Sequence, residues 1–119
     1  MKNFYKYKES SYQIALVNYL KLQYPNILFT GGFAGDKLGL LAAIRRKKMG
    51  YIAGTPDLFI AEPRNNKHGI WLEMKKEGGT LSPNQKEFIK KAIDRNYEVL
   101  ICYNFNEARD KIDKYLKGN

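Results

Sequence analysis

Between Gly54 and Lys75 the chain alternates in a way that suits a pair of adjacent strands. Gly54-Thr55-Pro56-Asp57 leads into the apolar run Leu58-Phe59-Ile60. After the polar turn Pro63-Arg64-Asn65-Asn66-Lys67-His68 comes Ile70-Trp71-Leu72-Glu73-Met74-Lys75. There, Ile70, Leu72 and Met74 alternate with Trp71, Glu73 and Lys75, so one strand face is apolar and the other carries an acid, an amine and a tryptophan. The pattern predicts strands over 57–61 and 69–75. If they pair as a hairpin, Asp57 lies beside Glu73 and Lys75. Two carboxylates and a lysine on one patch can hold Mg²⁺ and a phosphate together, which is the chemistry of phosphodiester hydrolysis.

Each of these residues also has a plainer reading. Asp57 follows Pro56, whose fixed φ and missing N–H suit a strand start, and aspartates are common at such places. Glu73 and Lys75 could form a solvated ion pair on a strand face. The metal reading draws on the combination, with Gly54 in front permitting a tight backbone or close approach of a ligand. Mg²⁺ takes oxygen ligands and keeps several waters. Asp57 and Glu73 then supply two ligands and the Met74 carbonyl is a candidate third. Lys75 is placed to orient the attacking water or to stabilise charge on the phosphate.

Around this pair the chain reads αβαββαβα. Residues 8–24 are expected to form a helix that ends before Pro25, with Tyr12, Leu16, Tyr19, Leu20 and Leu22 at its apolar positions. Glu9 and Gln13 fall on the stripe that continues through Leu16 and Leu20, and an acid there needs a reason; the plain ones are a frayed helix start and a solvated flank. Residues 27–30 read as a short strand stopped by Gly31-Gly32. Residues 38–49 read as a helix with Leu40, Leu41 and Ile44 apolar, ending in Arg45-Arg46-Lys47-Lys48, cations that suit a helix C-terminus and equally a phosphate-contacting patch. Ser82-Pro83-Asn84-Gln85 matches a capping box with proline at the first helical position, and Phe88, Ile89, Ala92 and Ile93 form the buried stripe behind it. The apolar run 99–103 has the composition of a central strand covered on both faces. A last helix over 106–116 packs Ala108, Ile112, Tyr115 and Leu116. These elements define a mixed α/β sandwich.

Composition bounds the partners. At 119 residues the expectation is one domain spanning 1–119 with a single modest core. The net charge of +9 makes a polyanion the natural partner, and carboxylates facing DNA need a divalent cation to offset their repulsion. No stretch approaches the roughly 20 apolar residues of a membrane helix, and residues 1–9 lack the apolar run of a secretion signal. Cys102, the lone cysteine, falls in an apolar strand-like run and is read as a core residue. A disulfide framework within the chain is excluded, which fits a reducing, cytoplasmic setting.

Gly54-Thr55-Pro56-Asp57-Leu58, Glu73-Met74-Lys75, Leu81-Ser82-Pro83-Asn84-Gln85 and Asn96-Tyr97-Glu98-Val99, in this order and spacing, resemble a VRR-NUC domain, a branch of the PD-(D/E)XK nuclease superfamily. The resemblance spans nearly the whole chain. Thr55 stands where the family often carries valine. The resemblance implies a restriction-endonuclease-like three-layer sandwich, with a small mixed central sheet flanked by helices. It further implies Asp57 and Glu73 as metal ligands with Glu9 as the first-helix acid, Lys75 as catalytic lysine, and Gln13 and Gln85 as supporting polar residues near the metal or the scissile phosphate; the plain alternative for Gln85 is that it only closes its own capping box. By the same resemblance the chain is similar to the stand-alone bacterial and bacteriophage members. It is expected to be a Mg²⁺- or Mn²⁺-dependent, structure-selective DNA endonuclease, a homodimer like Holliday junction resolvases, acting on branched DNA in the cytoplasm of a bacterial cell. The alternatives are a less selective nickase or flap nuclease, and a non-catalytic DNA-binding module that keeps the fold.

Overall fold

A computed structural model describes residues 4–32 and 39–118, with side chains from residue 11 onward. The strand and helix periods of the sequence appear as α1 (Phe4–Gln23), β1 (Phe29–Gly31), α2 (Leu40–Lys48), β2 (Leu58–Ile60), β3 (Ile70–Met74), α3 (Pro83–Asp94), β4 (Glu98–Cys102) and α4 (Phe105–Lys117). One sheet in the order β1-β2-β3-β4 joins the strands. β1 and β3 run antiparallel to β2, and β4 runs parallel to β3. This is the small mixed sheet flanked by helices expected from the sequence.

The period-two pattern of β3 decides the layering. Ile70, Leu72 and Met74 are buried with Leu58, Ile60, Leu100 and Cys102 against Leu16 and Leu20 of α1 and Ala108, Ile112 and Leu116 of α4. Fully burying one such leucine or isoleucine contributes about 1.5–3 kcal/mol. The opposite face presents Phe59, Trp71 and Glu73 to α3. Phe59 and Trp71, cross-strand partners, stack at 4.3 Å, and Phe88 of α3 meets the indole edge-on at 5.0 Å. The turn between β2 and β3 closes on itself: Arg64 and Lys67 exchange backbone hydrogen bonds of 3.1 and 2.8 Å around Asn65 and Asn66, both at positive φ. Asparagine accepts that conformation at small cost, so the pair acts as a two-residue hairpin turn.

Several sequence expectations are corrected. The apolar run around Val99 belongs to the edge strand β4, not a central one. It is apolar on both sides because α3 and α4 both pack against β4, while its outer edge has no strand partner among the described residues. The first helix starts before residue 8, and Leu22 is exposed: it projects away from the stripe through Leu16 and Leu20. Ile93 is likewise exposed, since Ala92 is the α3 residue that turns fully inward. α2 is helical as read, but Leu40, Leu41 and Ile44 are exposed and none of its residues is buried, because it lies off the sheet rather than on it. β1 starts two residues later than expected and ends one later, taking in Gly31.

Asp113 of α4 ties the two helices of the core layer together. Tyr19 donates to its two carboxylate oxygens at 2.7 and 2.8 Å, and Tyr24 donates to Oδ1 at 2.5 Å. Burial first, and then the bond to Asp113, push both phenols above the ordinary tyrosine range. A raised folded-state value adds stability that is complete below the unfolded value, about 10, and is lost as pH rises beyond it. Thermal melts at neutral pH and near pH 11 should therefore show a steep alkaline loss in the native protein and a shallower one in Tyr24→Phe. Equal slopes in the two proteins would remove Tyr24 from this account. Cys102 is buried, as read, and desolvation followed by the nearby Glu107 carboxylate raises its thiol to about 11, which makes it unreactive in the folded chain.

Candidate active site

The hairpin register brings the acids together. Leu58 pairs with Leu72, so one step further along, Asp57 stands across from Glu73. The Asp57 carboxylate turns toward β3 and accepts the Met74 N–H at 2.8 Å through Oδ2. In a strand the N–H and C=O of one residue point to the same neighbour; the Met74 carbonyl therefore faces the side on which Asp57 lies. Lys75 N–H, one residue on, turns the other way and donates to Cys102 O at 2.8 Å.

The main chain at Asp57 is held from two sides. Its carbonyl accepts Gly32 N–H at 2.8 Å, and the Gln13 amide Nε2 of α1 reaches it at a long 3.5 Å. Gln13 thus approaches the backbone of Asp57. Glu9 lies within α1, but its side chain is outside the described residues.

Glu73 is only 4% exposed, on the sheet face covered by α3. Its Oε2 lies 3.0 Å from Gln85 Nε2 and 3.4 Å from Lys75 Nζ. Lys75 Nζ in turn donates to Gln85 Oε1 at 2.9 Å. Gln85 closes its capping box and in the same conformation meets Glu73 and Lys75. Ser82 Oγ accepts Gln85 N–H at 3.2 Å, and Gln85 Oε1 accepts Ser82 N–H at 2.8 Å, which is the capping box of α3. Because the cap fixes Oε1 toward the helix end, Nε2 has to face Glu73. A helix cap therefore sets the orientation of the amide that meets both the acid and the lysine.

Gly54 makes this possible at φ +93. A Cβ there would lie 2.4 Å from Asn84 O and 2.8 Å from Gln85 N. The close approach expected at this glycine is therefore to the backbone of α3. Thr55 closes the turn by donating its hydroxyl to Ile52 O at 2.6 Å, and Pro56 is fully buried beneath it. Sequence reasoning missed the role of the Met74 N–H, a main-chain contact created by strand register, for which no side-chain signal exists.

Among the described residues no three His, Cys, Asp or Glu side chains gather as a metal cluster. By register Asp57 lies across from Glu73, and the Met74 carbonyl faces the Asp57 side, so the candidate donors are all oxygens. That set fits Mg²⁺ or Mn²⁺, which bind through one or two carboxylates and keep water in the remaining positions.

Comparison with known proteins defines the class. The VRR-NUC domain model matches residues 8–106, and the chain belongs to that family. A solved structure described as a VRR_NUC domain protein superposes with a TM-score of 0.75 at 26% identity, covering 92% of this chain and 88% of that one. No curated protein matches the chain. The fold is therefore that of a VRR-NUC protein and the domain is of nuclease type. None of the described helices is long and apolar enough to cross a membrane.

Proposed function

We propose that this chain is a divalent-metal-dependent DNA endonuclease whose site is built from Asp57, Glu73, Lys75 and Gln85. The observation that carries this reading is the Glu73–Gln85–Lys75 cluster across the register from Asp57, in a VRR-NUC domain of net charge +9. Asp57, Glu73 and the Met74 carbonyl would hold Mg²⁺ or Mn²⁺, with Glu9 as a further ligand. The cation, when bound, neutralises phosphate charge and activates water. Lys75 donates from Nζ to the attacking water or to a non-bridging phosphate oxygen, where negative charge grows in the transition state. Gln85 keeps Lys75 and Glu73 in register through the cap of α3, and Gln13 steadies the Asp57 main chain. Each of these groups acts by position and charge.

The chain works on this reading as one nuclease domain of the bacterial or bacteriophage type. Its contacts are mainly with phosphates, which position a protein without reading bases. A two-fold homodimer would present two sites of related polarity, suited to paired cuts in a four-way junction. The second reading, a nickase or flap nuclease, keeps the same site. A binding module without catalysis is disfavoured because Asp57, Glu73 and Lys75 are all present.

A labelled four-way junction, duplex, splayed arm and flap of equal length, incubated in Mg²⁺ with native protein and Lys75→Ala, separates these. Symmetric junction nicks lost in the variant are expected. Equal cutting of every substrate would make it a general nuclease, and tight binding without cutting in either metal would leave a binding module. Affinity should also fall steeply with salt, as counterion release requires; a salt-independent affinity would count against phosphate recognition.

A further inference from the structure

On the sheet face that carries Glu73, under α3, lies a groove of about 390 Å³, lined by Trp71, Phe88 and Tyr97 with Ile52 on the loop side. A second depression shares Ile52, Trp71 and Phe88, so the two lie either side of the Trp71–Phe88 contact. Lys91 of α3 and Arg95, its C-cap, stand on the rim of the first, together with Glu87, which pairs with Lys91 at 3.5 Å where both side chains are mostly in water. The rim thus carries two cations against one acid. Its size is that of a small-ligand site, roughly 300–1,000 Å³.

The groove reaches toward the candidate site through Trp71, Asn84 and Phe88, although Asp57, Glu73, Lys75 and Gln85 do not line it. Trp71 lies two residues before Glu73 and so on the same face of β3, about 7 Å along the strand. Phe88 lies one turn after Gln85 on the same side of α3. An apolar aromatic lining bordered by cations one strand step from a phosphodiester site matches the chemistry of an unpaired nucleotide, with its base against rings and its phosphate toward lysine and arginine.

We infer that this groove receives unpaired bases of the DNA substrate, so that the protein selects branch points and single-stranded segments over continuous duplex. The inference rests on the nuclease reading above and deepens it by naming what the site recognises. A paired base within duplex cannot enter without leaving its stack, and that cost falls away where bases are already unpaired.

Trp71 is the chain's single tryptophan, so its emission reports this aromatic face, where the groove and the second depression meet. Short oligothymidylate and a duplex of equal length are titrated in Ca²⁺, following Trp71 emission and, separately, the anisotropy of labelled DNA. The single strand should quench Trp71 while the bound duplex leaves emission nearly unchanged. Ile52→Asp, at a side chain 59% exposed and outside the catalytic cluster, should keep the native melting temperature and weaken single-strand quenching about tenfold or more. Single-strand binding by anisotropy without quenching overturns the inference, as does quenching that Ile52→Asp does not change. In either case, junction cleavage in Mg²⁺ would leave the nuclease reading standing. Absence of both DNA binding and cleavage would overturn that reading and the groove with it.

Discussion

Glu73→Gln is expected to lower DNA cleavage by at least the roughly 10²–10³-fold that loss of a single transition-state contact costs, while DNA binding in Ca²⁺ persists. The substitution keeps shape and removes only charge. Gln85 Nε2, 3.0 Å from Oε2, and Lys75 Nζ, 3.4 Å away, can still donate to the new amide oxygen, so the sheet and the cap of α3 stay in place. What disappears is the negative oxygen that, on the proposed reading, would hold a divalent cation beside the scissile phosphate. Asp57→Asn should behave alike, because its Oδ oxygen can still accept the Met74 N–H that anchors it. Single-turnover cleavage of a junction, with a melting curve and an anisotropy titration, checks all three parts. Cleavage within a few-fold of native in both variants would move the chemistry to another part of the molecule.

The second large effect is structural. Gly54→Ala places a methyl group 2.4 Å from Asn84 O and 2.5 Å from Asn84 C, both backbone atoms in the first turn of α3, which cannot swing aside as a side chain would. The residue also sits at φ +93, where a Cβ costs about 1–2 kcal/mol. Forced overpacking adds about 1–3 kcal/mol. A total loss of about 2–5 kcal/mol is expected, and with it a displaced helix start. Since Gln85 lies in that turn, its bonds to Lys75 and Glu73 stretch, and a shift near 1 Å at such a site can cost about 10²-fold in rate. Gly50→Ala is the control: its φ is +105 but nothing lies within 4 Å of the added Cβ. It should show the conformational cost alone, with activity close to native. Urea unfolding and cleavage rates of the two variants decide the matter; equal, mild effects would mean that the loop and α3 are not in hard contact.

The site and its scaffold are coupled through few residues, which explains why some of it was legible in advance. The alternation of Ile70, Leu72 and Met74 with Trp71, Glu73 and Lys75 is a local property of a strand, and it correctly assigned each to a face. The box of Ser82 and Gln85 is likewise local, formed within one helical turn. By contrast, the apolar run of β4 could not reveal its place at the sheet edge, because burial by two helices and burial by two strands select the same residues. The apolar positions of α2 and Leu22 show the same limit: helical spacing states which side chains share a face, but not whether anything covers that face.

By itself the sequence determined the order of elements, the two-faced character of β3, the cap of α3, and, in VRR-NUC spacing, the residue types that the proposed phosphodiester site would use. Those properties depend on backbone periods of 2 and 3.6 and on contacts within a few residues, which the chain carries locally. Only the tertiary structure decided that Asp57 stands across from Glu73, that Gln85 serves the helix cap and the lysine at once, and that Gly54 lies against α3. These follow from strand register and helix docking between residues 10 to 30 positions apart. Such placements are set by how the whole core packs, and no short stretch of chain contains that information.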